Sequence, residues 1–239
     1  MTRRRFIADE VSGDRAALVG EHAGHLVRVL RARVGQEFDI ATGDVVRRGR
    51  VASVGDGRVE FELGEEVSSV GLAEITLVLA VFKFDRMEWA IEKCTELGVS
   101  RIVPVIARRT DSHLAAASAK RVERWRRIAR QASEQSRRAA PPEIAVPIKL
   151  AEALTLQVAL RIVLAESEER TLLRDVVRPD ASGGAVALAV GPEGGWTDDE
   201  SQSFGQAGWI SASLGNTILR AETAAMAATA VVASELYSL

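Results

Sequence analysis

The stretch Ala187–Glu200, ALAVGPEGGWTDDE, decides how the rest of this chain is read. Its first residues close the run AVALAV (185–190), which is short, apolar and unbroken, the pattern of a strand covered on both faces. The run passes directly into Gly191-Pro192-Glu193-Gly194-Gly195. Thr197, with Glu200 three residues on, then forms the capping box that opens a helix. Glycine after such a strand lets the backbone approach a ligand at the carboxyl edge, where α/β sheets bind small molecules. The loop has neither of the two glycine spacings that cradle nucleotide phosphates. Taken alone, a glycine loop of this kind is more often a tight turn than a cofactor site.

Working outward, SLGNTILRAETAAMAATA (213–230) supplies a turn at Leu214-Gly215-Asn216, then Arg220 and Glu222, then an alanine-rich helix. Arg220 and Glu222 at the mouth of that helix can be a structural ion pair or can face a ligand held against the preceding loop. Upstream, ITLVLAV (75–81), RIVPVI (101–106) and RIVLA (161–165) are further continuous apolar runs. Between the first two, Met87, Ile91, Cys94 and Leu97 make one helical stripe that Gly98 closes. Cys94 reads as a buried core thiol. A basic helix follows from Ser118, with Val122, Trp125, Ile128 or Ala129, and Ala132 on one side, until AAPPEIAVP breaks it. Strand and helix alternate from residue 75 onward, so this part is an α/β domain.

Residues 1–70 differ. EFDIATGD, RGRVASVGDG and RVEFELGE alternate apolar and polar residues, with turn chemistry at Gly43-Asp44 and Asp56-Gly57. GEHAGHLVRVLRARVG ahead of them reads as one helix that Gly35 stops. This is a small β-barrel with a helix, and LGEEVSSVGLAE (63–74), with no apolar period, marks the domain boundary. In 239 residues, 47% hydrophobic and 27% charged, two ordinary globular domains fit. The single cysteine excludes an internal disulfide, and MTRRRFIADEV lacks the apolar core of a signal peptide. No apolar run reaches membrane-spanning length, so a cytoplasmic protein is expected, and the three histidines are scattered with no metal-ligand spacing. The formal net charge is −2, yet Lys120–Arg138 holds eight basic and two acidic residues, a local excess suited to a nucleic-acid backbone.

The two glycine-bearing segments together resemble the paired cofactor motifs of the SPOUT methyltransferases. Within that superfamily the chain is similar to the 16S rRNA uracil-N3 methyltransferase family. KFDRMEWAIEKCTELGVSRIVPVIARRT, RWRRIARQASEQSRR with PPEI, and the N-terminal RRRF and HLVRVLR match its segments in order over nearly the whole length. Phe84 departs, standing where many members have glycine. The resemblance implies a C-terminal SPOUT domain over 75–239 with a deep trefoil knot, and a PUA-like RNA-binding barrel over 1–70. It further implies a homodimer acting on 16S rRNA or the small subunit with S-adenosylmethionine and no metal.

Carried over residue by residue, the cofactor rests against Leu164, Ala165 and Glu166, against Gly191, Pro192, Glu193 and Gly194, and against Leu214, Gly215, Ile218, Leu219 and Arg220. Uracil N3 reacts as its anion, so Arg220 is the candidate for stabilising that anion, and Glu222 either takes the proton or orients Arg220. Expected RNA contacts are Arg3, Arg4, Arg5, Arg31, Lys83, Arg126, Arg127 and Arg130. Two other readings share these motifs. One is a different SPOUT enzyme acting on ribose 2′-O or on transfer RNA, which the N-terminal barrel and the whole-chain order argue against. The other is a non-catalytic RNA-binding ribosome-assembly protein, against which the intact glycine loop speaks.

Overall fold

The computed structural model describes residues 4–43, 45–67, 74–177 and 185–236. The chain divides into two compact units, one of residues 1–71 with 130–141, the other of residues 72–129 with 142–239.

The first unit is a six-stranded sheet with a helix. Its strands are β1 (Arg5–Ile7), β2 (Glu10–Ser12), β3 (Arg15–Val19), β4 (Glu37–Ala41), β5 (Val46–Gly55) and β6 (Arg58–Val67), in the order β1-β4-β5-β6-β3-β2. All pairs are antiparallel except β1 with β4. Two register shifts bend β5, and Gly49 is required there, since a Cβ would lie 2.3 Å from Ile40. Phe6, Phe38 and Phe61 meet edge to face in the core beside Leu18 and Leu26. Strand β6 runs through Val67, so the first half of the expected boundary segment 63–74 is strand, and residues 68–73 lie outside the described residues.

Helix α1 spans Gly20–Arg28, shorter than the apolar spacing through Leu30 and Arg33 suggests. The helix cannot continue because Arg31 adopts φ 52°, the left-handed region, and the Ala32 amide turns back to the Leu26 carbonyl. Val29, expected inside, is 63% exposed.

The second unit is built on a parallel sheet. Strands β7 (Glu74–Ala80), β8 (Arg101–Ile106), β9 (Glu143–Ile144), β10 (Ile148–Lys149), β11 (Leu160–Leu164), β12 (Ala185–Val190) and β13 (Ile210–Ala212) lie in the order β10-β8-β7-β12-β11-β13, with β9 also on β8. Helices α2 (Phe84–Glu96), α3 (Ser112–Ser118), α4 (Val122–Gln135, of which residues 130–135 belong to the first unit), α5 (Leu150–Ala153), α6 (Leu173–Val176), α7 (Asp198–Gln206) and α8 (Ala221–Leu236) complete the α/β architecture. The unbroken apolar runs follow from two covered faces. Ile75, Leu77, Leu79, Val186 and Leu188 join one buried cluster, while their neighbours Val78, Ala80, Ala187 and Ala189 join another on the opposite face. Helix α8 packs on α2 and against β7 and β12. No described helix is long and apolar enough to cross a membrane.

Candidate functional site

Because β12, β11 and β13 are adjacent and parallel, their carboxyl ends open at one edge of the sheet. Leu164, Val190 and Ala212 end the three strands, and the loops beyond them enclose a cavity of about 270 Å³. Gly191–Gly195 forms one wall as a tight turn, in which the Gly195 amide donates to the Pro192 carbonyl at 2.8 Å and Gly195 itself takes φ 69°. Leu164–Ser167 forms a second wall and Ser213–Gly215 a third. These two are knitted together: the Ala165 amide donates to Ala212, that of Ser213 to Thr171, and that of Leu173 to Ser213.

The glycine loop is held from several sides. Trp196 follows it, is buried, and donates its indole N–H to the Leu164 carbonyl at 3.2 Å. A Cβ on Gly191 would sit 3.3 Å from that indole, so the residue must stay small for backbone and ring to meet. Trp196, Phe204 and Trp209 stack edge to face beneath. Thr197 and Glu200 make the reciprocal capping box of α7, and the buried Glu200 also accepts the Arg108 amide at 2.7 Å. That bond ties the segment after β8 to the same edge. Arg109, next along, donates through Nη1 to the carbonyls of Gly194 and Trp196 and lines the cavity. From α2, Arg86 reaches Glu193 at 2.7 Å and stands 3.7 Å from Glu222 at the start of α8.

A family of RNA methyltransferase domains matches residues 71–233. This chain belongs to that family. It is 32% identical over 221 residues to the ribosomal RNA small subunit methyltransferase E of Rickettsia conorii, covering 90% of this chain and 88% of that one. The enzyme of the same name from Synechocystis is 32% identical over 219 residues, 90% of this chain and 71% of its own length. Among solved structures, ribosomal RNA small subunit methyltransferase E from Neisseria gonorrhoeae, bound to S-adenosyl methionine, superposes with a TM-score of 0.84 at 32% identity over 96% of both chains. A Legionella pneumophila protein in complex with the same molecule gives 0.85 at 29% identity over 97% of both.

Of the residues the sequence nominated for the cofactor, Leu164, Ala165, Glu166, Gly191, Pro192, Glu193, Gly194, Leu214, Gly215 and Leu219 line the one cavity. Ile218, 83% exposed, and Arg220, also exposed, do not. Glu222 is only 3% exposed, and among the described residues its ion pair is with Arg86 and not Arg220. Sequence reasoning missed Arg86 and Arg109. Both carried a usable signal, since both lie in the segment KFDRMEWAIEKCTELGVSRIVPVIARRT that resembles the family.

The nominated RNA contacts divide. Arg4, Arg31, Lys83 and Arg127 are exposed. Arg126 is engaged with Glu123 at 2.6 Å and with the Ile144 carbonyl. Arg130 is engaged with Asp9 at 2.8 Å and the Ile7 carbonyl at 2.6 Å, which staples residues 130–141 to the first unit's own sheet. Arg5 donates to the Arg137 carbonyl, and burial lowers its guanidinium pKa against the opposing pull of Asp39. Arg3 lies outside the described residues.

Proposed function

We propose that this protein is an S-adenosylmethionine-dependent methyltransferase that modifies N3 of a uracil in 16S ribosomal RNA, in the cytoplasm. The observation that carries this is the cavity at the carboxyl ends of β11, β12 and β13, walled by the glycine loop, in a chain of the RNA methyltransferase family. The residues suit that cofactor. Gly191 and Gly194 leave backbone bare where any side chain would press on Trp196 or Arg109. Leu164, Leu214 and Leu219 offer apolar surface for an adenine face, and the loop backbones offer its edge hydrogen bonds. When bound, S-adenosylmethionine supplies a methyl group already activated by a sulfonium charge.

The protein's part is then to position the base and favour its anion. Arg220 is assigned the cation beside a uracil carbonyl oxygen. Each unit by which a cation lowers the N3 pKa is worth about 1.4 kcal/mol. Glu222, buried and paired with Arg86, is assigned to fixing the start of α8 and with it Arg220, two residues earlier. The first unit is read as a PUA-like RNA-binding domain over residues 1–70, and residues 75–239 as a trefoil-knotted SPOUT domain. Arg3, Arg4, Arg5, Arg31, Lys83 and Arg127 are assigned to RNA phosphates. The protein is read as acting as a homodimer, as the resemblance implies.

The test is transfer of a labelled methyl group to small ribosomal subunits lacking native modifications, with nucleoside analysis of the RNA. 3-Methyluridine at one position is the expected product. A different methylated nucleoside would reassign the target atom. Cofactor binding without transfer to any ribosomal RNA would sink the substrate, and no cofactor binding would favour a non-catalytic RNA-binding role.

A further inference from the structure

The cavity is lined by three carboxylate side chains, Glu166, Glu193 and Asp198, and among the described residues by one cation, Arg109. Glu193 is already matched by Arg86. Arg109 is not free to wander, because its Nη1 is committed to the carbonyls of Gly194 and Trp196. A guanidinium has five N–H donors in a planar fork. The hydrogens on Nε and Nη2 of Arg109 have no partner among the described residues. An exposed cation on a cavity's lining, held by two bonds through one nitrogen and with no partner among the described residues for its other donors, is preorganised to receive an anion, above all a carboxylate.

Resting on the cofactor reading above, the ligand has one negative group. S-Adenosylmethionine carries a sulfonium, an ammonium and a carboxylate. In a cavity whose other charged side chains are acids, the positive groups have several favourable neighbours and the carboxylate has one. We propose that Arg109 is the receptor for the carboxylate of the cofactor's amino-acid arm, and that it makes the cavity select ligands in which that arm is intact. The glycine at 194 serves the same end, since a Cβ there would meet Arg109 Cδ at 3.3 Å and push the guanidinium off its two carbonyls.

A mere strut holding the loop would use the same two carbonyl bonds, so the experiment must separate strut from receptor. Binding of S-adenosylmethionine and of its decarboxylated analogue, which differ only in the carboxylate, is measured by calorimetry for the wild-type chain and for Arg109→Lys and Arg109→Ala. The wild type is expected to prefer the intact ligand at least tenfold, and the ratio of the two affinities is the readout, since losing the bonds to the Gly194 and Trp196 carbonyls weakens both ligands alike. Arg109→Ala should abolish the preference, and Arg109→Lys, which keeps a charge and loses the fork, should retain part of it. Equal weakening of both ligands in Arg109→Ala would make the residue a strut and overturn the proposal, as would an unchanged preference. Should Arg109→Ala fail to fold, the Arg109→Lys preference decides alone, a value equal to wild type counting against the receptor. A wild-type chain that binds neither ligand would instead overturn the cofactor reading, and the receptor with it.

Discussion

Arg86 and Glu222 face each other across α2 and α8, Nε to Oε1 at 3.7 Å, and the second oxygen of this nearly inaccessible carboxylate has no hydrogen-bond partner among the described residues. The same guanidinium holds Glu193 in the glycine loop at 2.7 Å. One arginine thus couples the loop to the start of the last helix. Truncating it strands a buried charge, which is far worse than losing both partners together. Arg86→Ala is therefore expected to destabilise the fold by about 3 kcal/mol in urea titrations. The double change Arg86→Met with Glu222→Met should recover most of that loss. Additive losses in the double variant would show that the two side chains do not act as a pair.

The glycine loop makes a second, graded prediction. Gly195 needs its left-handed φ of 69°, so Gly195→Ala should lower stability by about 1 kcal/mol whatever the space around it. Gly191 has no such constraint but lies 3.3 Å from the Trp196 ring, which the Leu164 carbonyl and Phe204 hold in place. Gly191→Ala should therefore shift the loop into the cavity, leaving the melting temperature nearly unaltered and weakening cofactor binding about tenfold. The comparison of melting curves with binding isotherms checks both, and a Gly191→Ala variant of native affinity would mean that the loop can yield.

What the sequence disclosed and what it hid divide along the range of the interactions. β7, β8, β11 and β12 were readable because strands covered on both faces must be apolar at every position, a local signature. The Thr197/Glu200 capping box was readable for the same reason. Strands β9, β10 and β13, of two or three residues, are too short to show any period. The end of α1 was misread because an arginine at 31 gives no hint that it will take a left-handed φ. Most of the cavity was legible once the two glycine-bearing segments were read together. The partners of Arg86 and Arg109 were not, since each meets its partner across roughly a hundred residues of chain that only the strand order brings together.

The arginines of the basic helix should behave differently from one another, although their sequence context is the same. Arg127 is exposed, whereas Arg130 serves Asp9 and the Ile7 carbonyl within its own unit. Arg127→Glu is expected to weaken RNA binding and flatten its salt dependence by about one phosphate's worth, with unaltered stability. Arg130→Glu is expected to place a carboxylate against Asp9 and to destabilise the first unit by about 2 kcal/mol. Thermal melts beside RNA titrations at two salt concentrations separate these outcomes. A stable Arg130→Glu variant would show that the staple contributes nothing.

Cys94 makes the last prediction, one of pH. Its thiol is fully buried on α2, 3.5 Å from the Thr229 hydroxyl, and burial pushes its pKa from 9.0 up to about 12, only slightly offset by that hydroxyl. The folded chain thus keeps the proton that the unfolded chain surrenders above pH 9. Stability from this source is complete below pH 9 and drains away as pH rises toward 12, by about 1.4 kcal/mol per unit. Cys94→Ala removes the titrating group and introduces a small cavity, which costs about 1 kcal/mol at every pH. The variant should therefore start less stable than wild type at pH 8, and the difference should close or reverse near pH 10. Native protein should also resist thiol reagents at pH 8 that label it at once in urea. Parallel stability profiles for the two proteins between pH 8 and 10.5 would show that Cys94 ionises as easily folded as unfolded, and that the α2–α8 interface admits water.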